Sequence, residues 1–342
     1  MTVIAVMHAP EQVRKGIARP QSLNRISRPI QSSRPLRLPE IIGAGPGRTG
    51  TTWLHRVLEG HVDLPYGVKE TQFFSNYYDK GIDWYARHFR YATGERLIVE
   101  ICPYLFDPLV PDRIKVHIPN CRVITTLRDP VEHTFSAYKL LAHYAWACGS
   151  FEEVLKSRPN LAGGNRYAFY LRKWFETFGR ENVLITMYDE LRAQPQSYLN
   201  QVTDFMGIER IDLSARPEIG DDVHSFDRAP KYRRLARRAT RLMYWFKARQ
   251  AYGAINFLDR WGVWDFCHGR GEPFGRLTPE QDERLRKRYL PEVEALEELL
   301  TIDLSAWKKP RAPQAGHSDK REAAKPVARA TGLDDLRDPI FK

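Results

Sequence analysis

Between residues 45 and 52 the chain reads Gly45-Pro46-Gly47-Arg48-Thr49-Gly50-Thr51-Thr52, a spacing suited to folding backbone N–H groups around an anion. A loop of this frame that handles a nucleoside triphosphate carries a lysine after its last glycine, to reach the β- and γ-phosphates, followed by a Ser or Thr for magnesium. Here the lysine position is Thr51, and the one strong cation of the loop stands three residues upstream at Arg48. The pattern therefore predicts a nucleotide without a β–γ phosphate pair, carrying some other activated anion. The flanks fit such a loop. Residues 38–44 contain a short apolar run suited to a buried strand, and residues 51–58 set Trp53, Leu54, Val57 and Leu58 on one helical face. A strand, a Gly-rich turn and a helix together aim N–H groups and the positive end of a helix dipole at one point.

Further motifs follow in order. They are Lys69-Glu70-Thr71-Gln72-Phe73-Phe74, then Gly81-Ile82-Asp83-Trp84-Tyr85, then the run from Cys121 through Arg128-Asp129-Pro130 to Ser136 and Tyr138. Leu171-Arg172-Lys173-Trp174-Phe175, Tyr188-Asp189-Glu190-Leu191 and a closing helical stretch from Pro279 to Trp307 complete the set. Across residues 38–308 this series resembles the sulfotransferases that use 3′-phosphoadenosine 5′-phosphosulfate (PAPS), in particular the heparan-sulfate type and its bacterial relatives. The resemblance implies that Gly47, Arg48, Thr49, Gly50, Thr51 and Thr52 hold the 5′-phosphosulfate end. It also implies that Arg128 and Ser136 hold the 3′-phosphate, with a later donor contact from the Gly-rich loop at Arg270. PAPS is then a co-substrate, and no metal is called for.

Sulfuryl transfer builds negative charge on the departing phosphate oxygen and on the sulfuryl oxygens, so fixed positive charge is the protein's main lever. Arg48 suits this: its guanidinium stays charged and can clamp two oxygens, although it cannot serve as a proton donor. The acceptor must lose a proton to a nearby base. By resemblance that base is Glu70, with Lys69 beside it contacting the sulfonate or the donor phosphate. His61 is the second candidate, since histidine does this work in the cytosolic sulfotransferases. The chain also departs from the pattern. Glycan-modifying members commonly carry Glu-Lys-(Ser/Thr)-Pro where this chain has Glu100-Ile101-Cys102-Pro103, and a histidine often found inside the Lys-Glu motif is Gln72 here. Both departures point towards a smaller, less acidic or lipid-like acceptor, and the motifs specify neither that acceptor nor an oligomeric state.

These motifs need a scaffold. Strand-like runs at 97–99, 122–127 and 182–186 alternate with helical stretches, which predicts an α/β single domain: a P-loop-like parallel sheet flanked by helices on both faces. Ligands of such sheets lie beyond the carboxyl ends of the strands. The 342 residues, 42% of them hydrophobic, suffice for one substantial core, and no apolar run reaches the roughly 20 residues that span a bilayer. The basic segment 1–37 and the Pro-, Ala- and charge-rich segment 309–342 read as disordered tails. Four cysteines without paired spacing read as buried thiols in a reducing compartment, and a cytoplasmic protein is expected.

Residues 228–249 hold nine Lys/Arg and no acid, interleaved with aromatic and aliphatic residues, and residues 228–265 read as a helical lid. Three uses of it stay open at this level: gripping an anionic acceptor or the donor, lying peripherally on an acidic membrane, or forming a solvated cationic face. The net charge of +11 would also suit nucleic acid, but no nucleic-acid motif accompanies it, so that partner is not expected.

Overall fold

The computed structural model describes residues 37–310, except 217, 218, 220–227 and 269. Apart from residues 37, 309 and 310, the two expected tails lie outside the described residues. Four strands form the central sheet: β1 (Ile41–Gly43), β2 (Val99–Ile101), β3 (Arg122–Leu127) and β4 (Val183–Met187). All pairs are parallel, in the order β2-β1-β3-β4. From β1 the chain moves out to β2, then returns past β1 to build β3 on its other side. The order therefore reverses between β1 and β3, and the crevice beyond their carboxyl ends is where an open α/β sheet offers a ligand its place.

Side chains alternate across the strands, so the sheet feeds two cores. Ile42 and Val123 enter one apolar cluster, and Ile41, Val99, Ile101 and Ile124 enter the other. On the first face lie α3 (Val110–His117), α4 (Pro130–His143), α5 (Tyr167–Phe178) and α10 (Pro279–Leu300). On the second lie α1 (Thr51–Leu58) and α6 (Pro195–Met206). Burial on both sides explains why the strands read as continuous apolar runs. The second strand was expected at 97–99 but runs to Ile101, because its middle residue is a fully buried carboxylate, Glu100, which breaks the apolar run.

A second, two-stranded sheet pairs β5 (Arg228–Pro230) with β6 (Arg270–Pro273) antiparallel. Between these strands stand α7 (Arg233–Ala248), α8 (Tyr252–Arg260) and α9 (Val263–His268). The hairpin thus closes the base of the basic helical insertion. Of the four thiols, Cys102, Cys121 and Cys267 are buried as expected, whereas Cys148 is exposed in the turn after α4.

The end of β3 is tied to the chain's last helices. Asp129 caps α4 by accepting from the Val131 N–H at 2.9 Å, and its other oxygen meets Arg286 of α10 at 3.1 Å. Arg286 also pairs with Asp282 at 2.8 Å and donates to the Trp307 carbonyl of α11 (Ser305–Lys308) at 2.7 Å. Removing one partner of a buried ion pair strands the other charge, at a cost of about 3–5 kcal/mol. Arg286→Ala is therefore expected to lower the unfolding free energy by about 3 kcal/mol or more in a denaturant titration. A loss below about 1 kcal/mol would show that Asp129 is satisfied by its cap alone.

Candidate active site

The loop between β1 and α1 lies over the β1–β3 crevice. Gly50 stands at φ 86°, ψ 10° as the residue before α1, with the Leu191 side chain against the place a Cβ would occupy. Only glycine fits both the backbone and the space. A Cβ on Gly45 would press on the Thr49 hydroxyl at 3.3 Å and the Thr126 backbone N at 3.5 Å, so the loop folds tightly on β3. Arg48 takes the left-handed region at φ 74°, which a residue with a Cβ avoids at a cost of about 1–2 kcal/mol. Two contacts hold it there. Its carbonyl accepts from Arg128 at 3.0 Å, and its Nε donates to the Ser136 hydroxyl at 2.9 Å.

The Lys69-Glu70 segment reaches the same loop. Lys69 Nζ lies 2.7 Å from Glu70 Oε1 and 3.2 Å from the Thr51 hydroxyl, at the first turn of α1. The segment itself is irregular and is held from both ends. Downstream, Phe73 and Phe74 open α2 (Phe73–Asn76) inside the core, Phe73 stacking on Tyr85 with ring centroids 4.7 Å apart. Beneath it, Glu100 accepts from the Thr71 N–H at 3.1 Å, from the Thr71 hydroxyl, and from Tyr85 at 2.7 Å. Burial pushes the Glu100 carboxyl above its ordinary range, and these donors oppose the rise. Glu100 thus positions Glu70 through Thr71. Ile101 is buried against Gly43 in the second core.

Arg128 directly follows β3 rather than closing it, and Ser136 lies on α4. The Arg128 guanidinium is 3.2 Å from Glu132 and 4.3 Å above the Tyr188 ring, and its carbonyl accepts from Tyr167 at 2.9 Å. Ser136 and Arg48 are brought together, so the two ends expected of the donor site share one wall of the crevice. Of the loop hydroxyls, that of Thr49 is buried and donates to the Pro46 carbonyl at 2.8 Å. Thr51 and Thr52 are half-buried at the start of α1, leaving their hydroxyls and the backbone N–H groups to meet an anion. Arg270 begins β6, but its side chain lies outside the described residues. His61 is not part of the site. It is exposed three residues beyond the far end of α1, a helix about 12 Å long whose other end bears the loop.

Sequence reasoning missed three groups. His133 of α4 approaches the Gly47 carbonyl through Nε2 at 2.9 Å; its spacing of three residues before Ser136, one helical neighbour, was the available signal. Tyr144 follows α4 directly. Burial pushes its hydroxyl up to about 12, Glu70 adds to the rise and Arg48 opposes it. Lys247 comes from α7. Burial lowers its pKa, while Glu70, Cys102 and Glu100 support the charged form and Lys69 opposes it. Its signal was periodicity: Ala236, Thr240, Tyr244 and Lys247 recur at helical spacing, and Lys247 is the one cation on that stripe. Among the described residues no three His, Cys, Asp or Glu side chains cluster so as to hold a metal ion.

Burial also holds His133 and His88 down at about 4, against an ordinary 6.5. His88 sits between the Tyr252 hydroxyl at 2.6 Å and the Tyr85 carbonyl at 3.0 Å. Between pH 6.5 and 4 the unfolded chain binds protons that these folded imidazoles refuse, so stability falls as pH drops through that window. At pH 5 each histidine should have cost about 2 kcal/mol relative to pH 7. Denaturant titrations at pH 7 and pH 5 measure the loss, and His133→Gln should remove about half of the two histidines' share.

Comparison with known proteins agrees with this geometry. A family model described as a sulfotransferase domain matches residues 38–218. Bifunctional heparan sulfate N-deacetylase/N-sulfotransferase 1 of Caenorhabditis elegans is 27% identical over 190 residues, which are 50% of this chain and 22% of that protein. The membrane-associated sulfotransferase kil1 of Dictyostelium discoideum is 38% identical over 108 residues, 30% of this chain and 23% of that protein. The match thus spans less than a quarter of either relative. The crystal structure of a sulfotransferase from Alicyclobacillus acidocaldarius superposes with a TM-score of 0.57 at 22% identity, covering 80% of this chain and all of that one, a likeness of fold. With more than half its length matched by the family model, the chain belongs to the sulfotransferase domain family.

Proposed function

We propose that this protein moves a sulfuryl group from PAPS to a hydroxyl or amine of a carbohydrate, lipid or other small acceptor. One observation carries the reading. A carboxylate, Glu70, is delivered beside the anion-binding loop by a lysine that also touches Thr51, the position where a triphosphate-handling loop keeps its own lysine. A base for the acceptor and a cradle for the donor thus meet at one point.

The N–H groups from Gly47 to Thr52, with the Thr51 and Thr52 hydroxyls, would hold the 5′-phosphosulfate end. Arg128 and Ser136 would hold the 3′-phosphate, with Arg270 at its margin. Arg128 faces Glu132 here, and an entering phosphate competes with that carboxylate for it. The donor supplies an activated sulfuryl group, and the chain's task is to meet the charge that develops. Arg48 stands in the loop as a permanent cation and stabilises the departing phosphate oxygen by electrostatics alone. Glu70 takes the acceptor proton, and Lys69 orients it. Lys247 adds from α7 a second cation near Glu70, where Ile101 replaces the lysine of glycan-modifying relatives. Tyr144 and Tyr244 line this side, and the Trp146 ring lies 5.2 Å from one and 5.8 Å from the other. An aromatic wall suits a flat or apolar acceptor better than a polysulfated glycan.

Adenosine 3′,5′-bisphosphate at about 100 times its Kd should stabilise the protein by about 2.7 kcal/mol, read as a rise of several degrees in Tm. ATP or ADP at the same concentration should do far less, and an equal or larger shift with ATP would favour a P-loop kinase or NTPase instead. Arg128→Ala should abolish the nucleotide shift. Glu70→Gln should keep the shift and lower kcat about 10²–10⁴-fold. Lys247→Met should likewise keep the shift and lower kcat, by about 10²-fold. Full turnover by Glu70→Gln would move the base elsewhere.

A further inference from the structure

Helix α7 has two unlike faces. Ala236, Ala239 and Thr240 are buried, Thr240 bonding to His268 at 2.8 Å, and Tyr244 and Lys247 continue that face towards Glu70. At about 100° per residue Trp245 lies about 200° from Lys247, on the opposite side. There Leu235, Leu242 and Trp245 form an exposed apolar stripe, and Arg249 lies over the Trp245 ring at 3.9 Å. The stripe is set in cations: Arg233, Arg234, Arg237, Arg238 and Arg241 are all exposed.

The next two helices extend this surface. Phe257 of α8 is 62% exposed, Trp261 just after it 72%, and Phe266 of α9 is exposed as well. The Phe257 and Trp261 rings lie 6.0 Å apart, so they present one aromatic knob rather than two isolated side chains. Scattered apolar residues on a surface need no explanation, but large aromatic ones grouped on adjoining helices beside a run of arginines do. A protein partner would demand a shaped, acidic counterpart. A lipid interface asks only for aromatic rings to enter the headgroup region and for cations to meet anionic headgroups, which is what α7, α8 and the Trp261 turn supply.

We propose that the outer face of α7–α9 docks on an anionic lipid membrane, with Trp245, Phe257 and Trp261 entering the headgroup layer and the α7 arginines contacting acidic lipid. The arrangement fixes a direction. The face opposite the lipid carries Tyr244 and Lys247 to the site, so docking sets the acceptor side of the crevice near the membrane surface, where a lipid-borne hydroxyl or amine could enter. The acidic residues of this region, Asp259 and Asp265, lie on α8 and α9 and leave α7 without a carboxylate.

Co-sedimentation of the full chain with vesicles tests this without reference to sulfuryl transfer. Vesicles of phosphatidylcholine with about one third phosphatidylglycerol should pull the protein down, and pure phosphatidylcholine vesicles at least tenfold less. Raising the salt to 0.5 M should weaken the binding. Trp245→Ala/Phe257→Ala/Trp261→Ala and, separately, Arg234→Glu/Arg238→Glu should each reduce binding at least tenfold. Both should keep the Tm shift with adenosine 3′,5′-bisphosphate, which reports that the fold and donor site are intact. The charge reversal answers the question if the aromatic variant fails to fold. Absent binding, equal binding to both vesicle types, or binding unaffected by both variants would overturn the proposal. So would a concentration-dependent dimer of the free protein that the same substitutions break, which would assign the face to a second copy of this chain.

Discussion

A carboxylate with no exposure to water must find hydrogen-bond donors or a cation, and for Asp129 the cation comes from 157 residues further along the chain. Asp129 follows the last residue of β3 and Arg128, so its place fixes where Arg128 emerges from the sheet. Arg286 meets it from α10 and reaches on to Trp307, whose indole N–H donates to Asp189 just beyond β4 at 3.2 Å. The ends of two strands and the last two helices are thereby locked into one register around the crevice. A buried pair of this kind adds little net stability over an apolar pair of the same shape, because both charges are desolvated. Its weight lies in specificity: other packings of α10 leave a bare carboxylate beneath the site.

Once that frame is set, the chemistry follows from where cations stand relative to the loop. Lysine at the Thr51 position would point a flexible ammonium at a β–γ pair. Arginine at position 48, in a left-handed backbone pinned by Ser136 and Arg128, instead gives a fixed planar charge at the loop's crest. In the proposed mechanism the strained residue is the one that must be rigid, since a pre-placed cation costs no reorganisation when charge appears. Lys69 then fills the space beside Thr51 from another segment and brings Glu70 with it.

Most of the scaffold was legible in the sequence because it depends on local signals. The apolar stripe Trp53-Leu54-Val57-Leu58 and the Asp129-Pro130 start of α4 came out where periodicity and capping place them. The motif series also carried the family, which no single motif could have done. What stayed hidden depends on tertiary pairing. Glu100 ended an apolar run and so shortened the expected strand, because nothing local announces that Thr71, Tyr85 and Tyr104 will satisfy a buried carboxylate. Nor does anything local announce that the Thr49 hydroxyl donates to the Pro46 carbonyl of its own loop. His61 was a candidate because histidine is the base in the cytosolic sulfotransferases, whereas here the length of α1 separates it from the loop. Lys247 was read as one of nine cations of a basic segment, and only the fold distinguishes the one that points inward.

That distinction bears on how such a segment can serve two ends. A helix of 16 residues has room for both an inner stripe and an outer one. Hydrogen bonds from Arg237 to the Ala145 carbonyl at 3.3 Å and from Gln250 to the Trp84 carbonyl at 3.0 Å fasten the helix near each end. With its ends held, rolling the helix to bury the outer Leu242 and Trp245 would carry Lys247 away from Glu70 and expose Ala236 and Thr240. The two faces are therefore coupled, and any surface that accepts the outer aromatics also stabilises the orientation in which Lys247 and Glu70 interact. Such coupling can shift the population of that orientation only by the difference in affinity between the two helix positions. That difference is supplied by the outer Leu242 and Trp245, which rolling would withdraw from the surface.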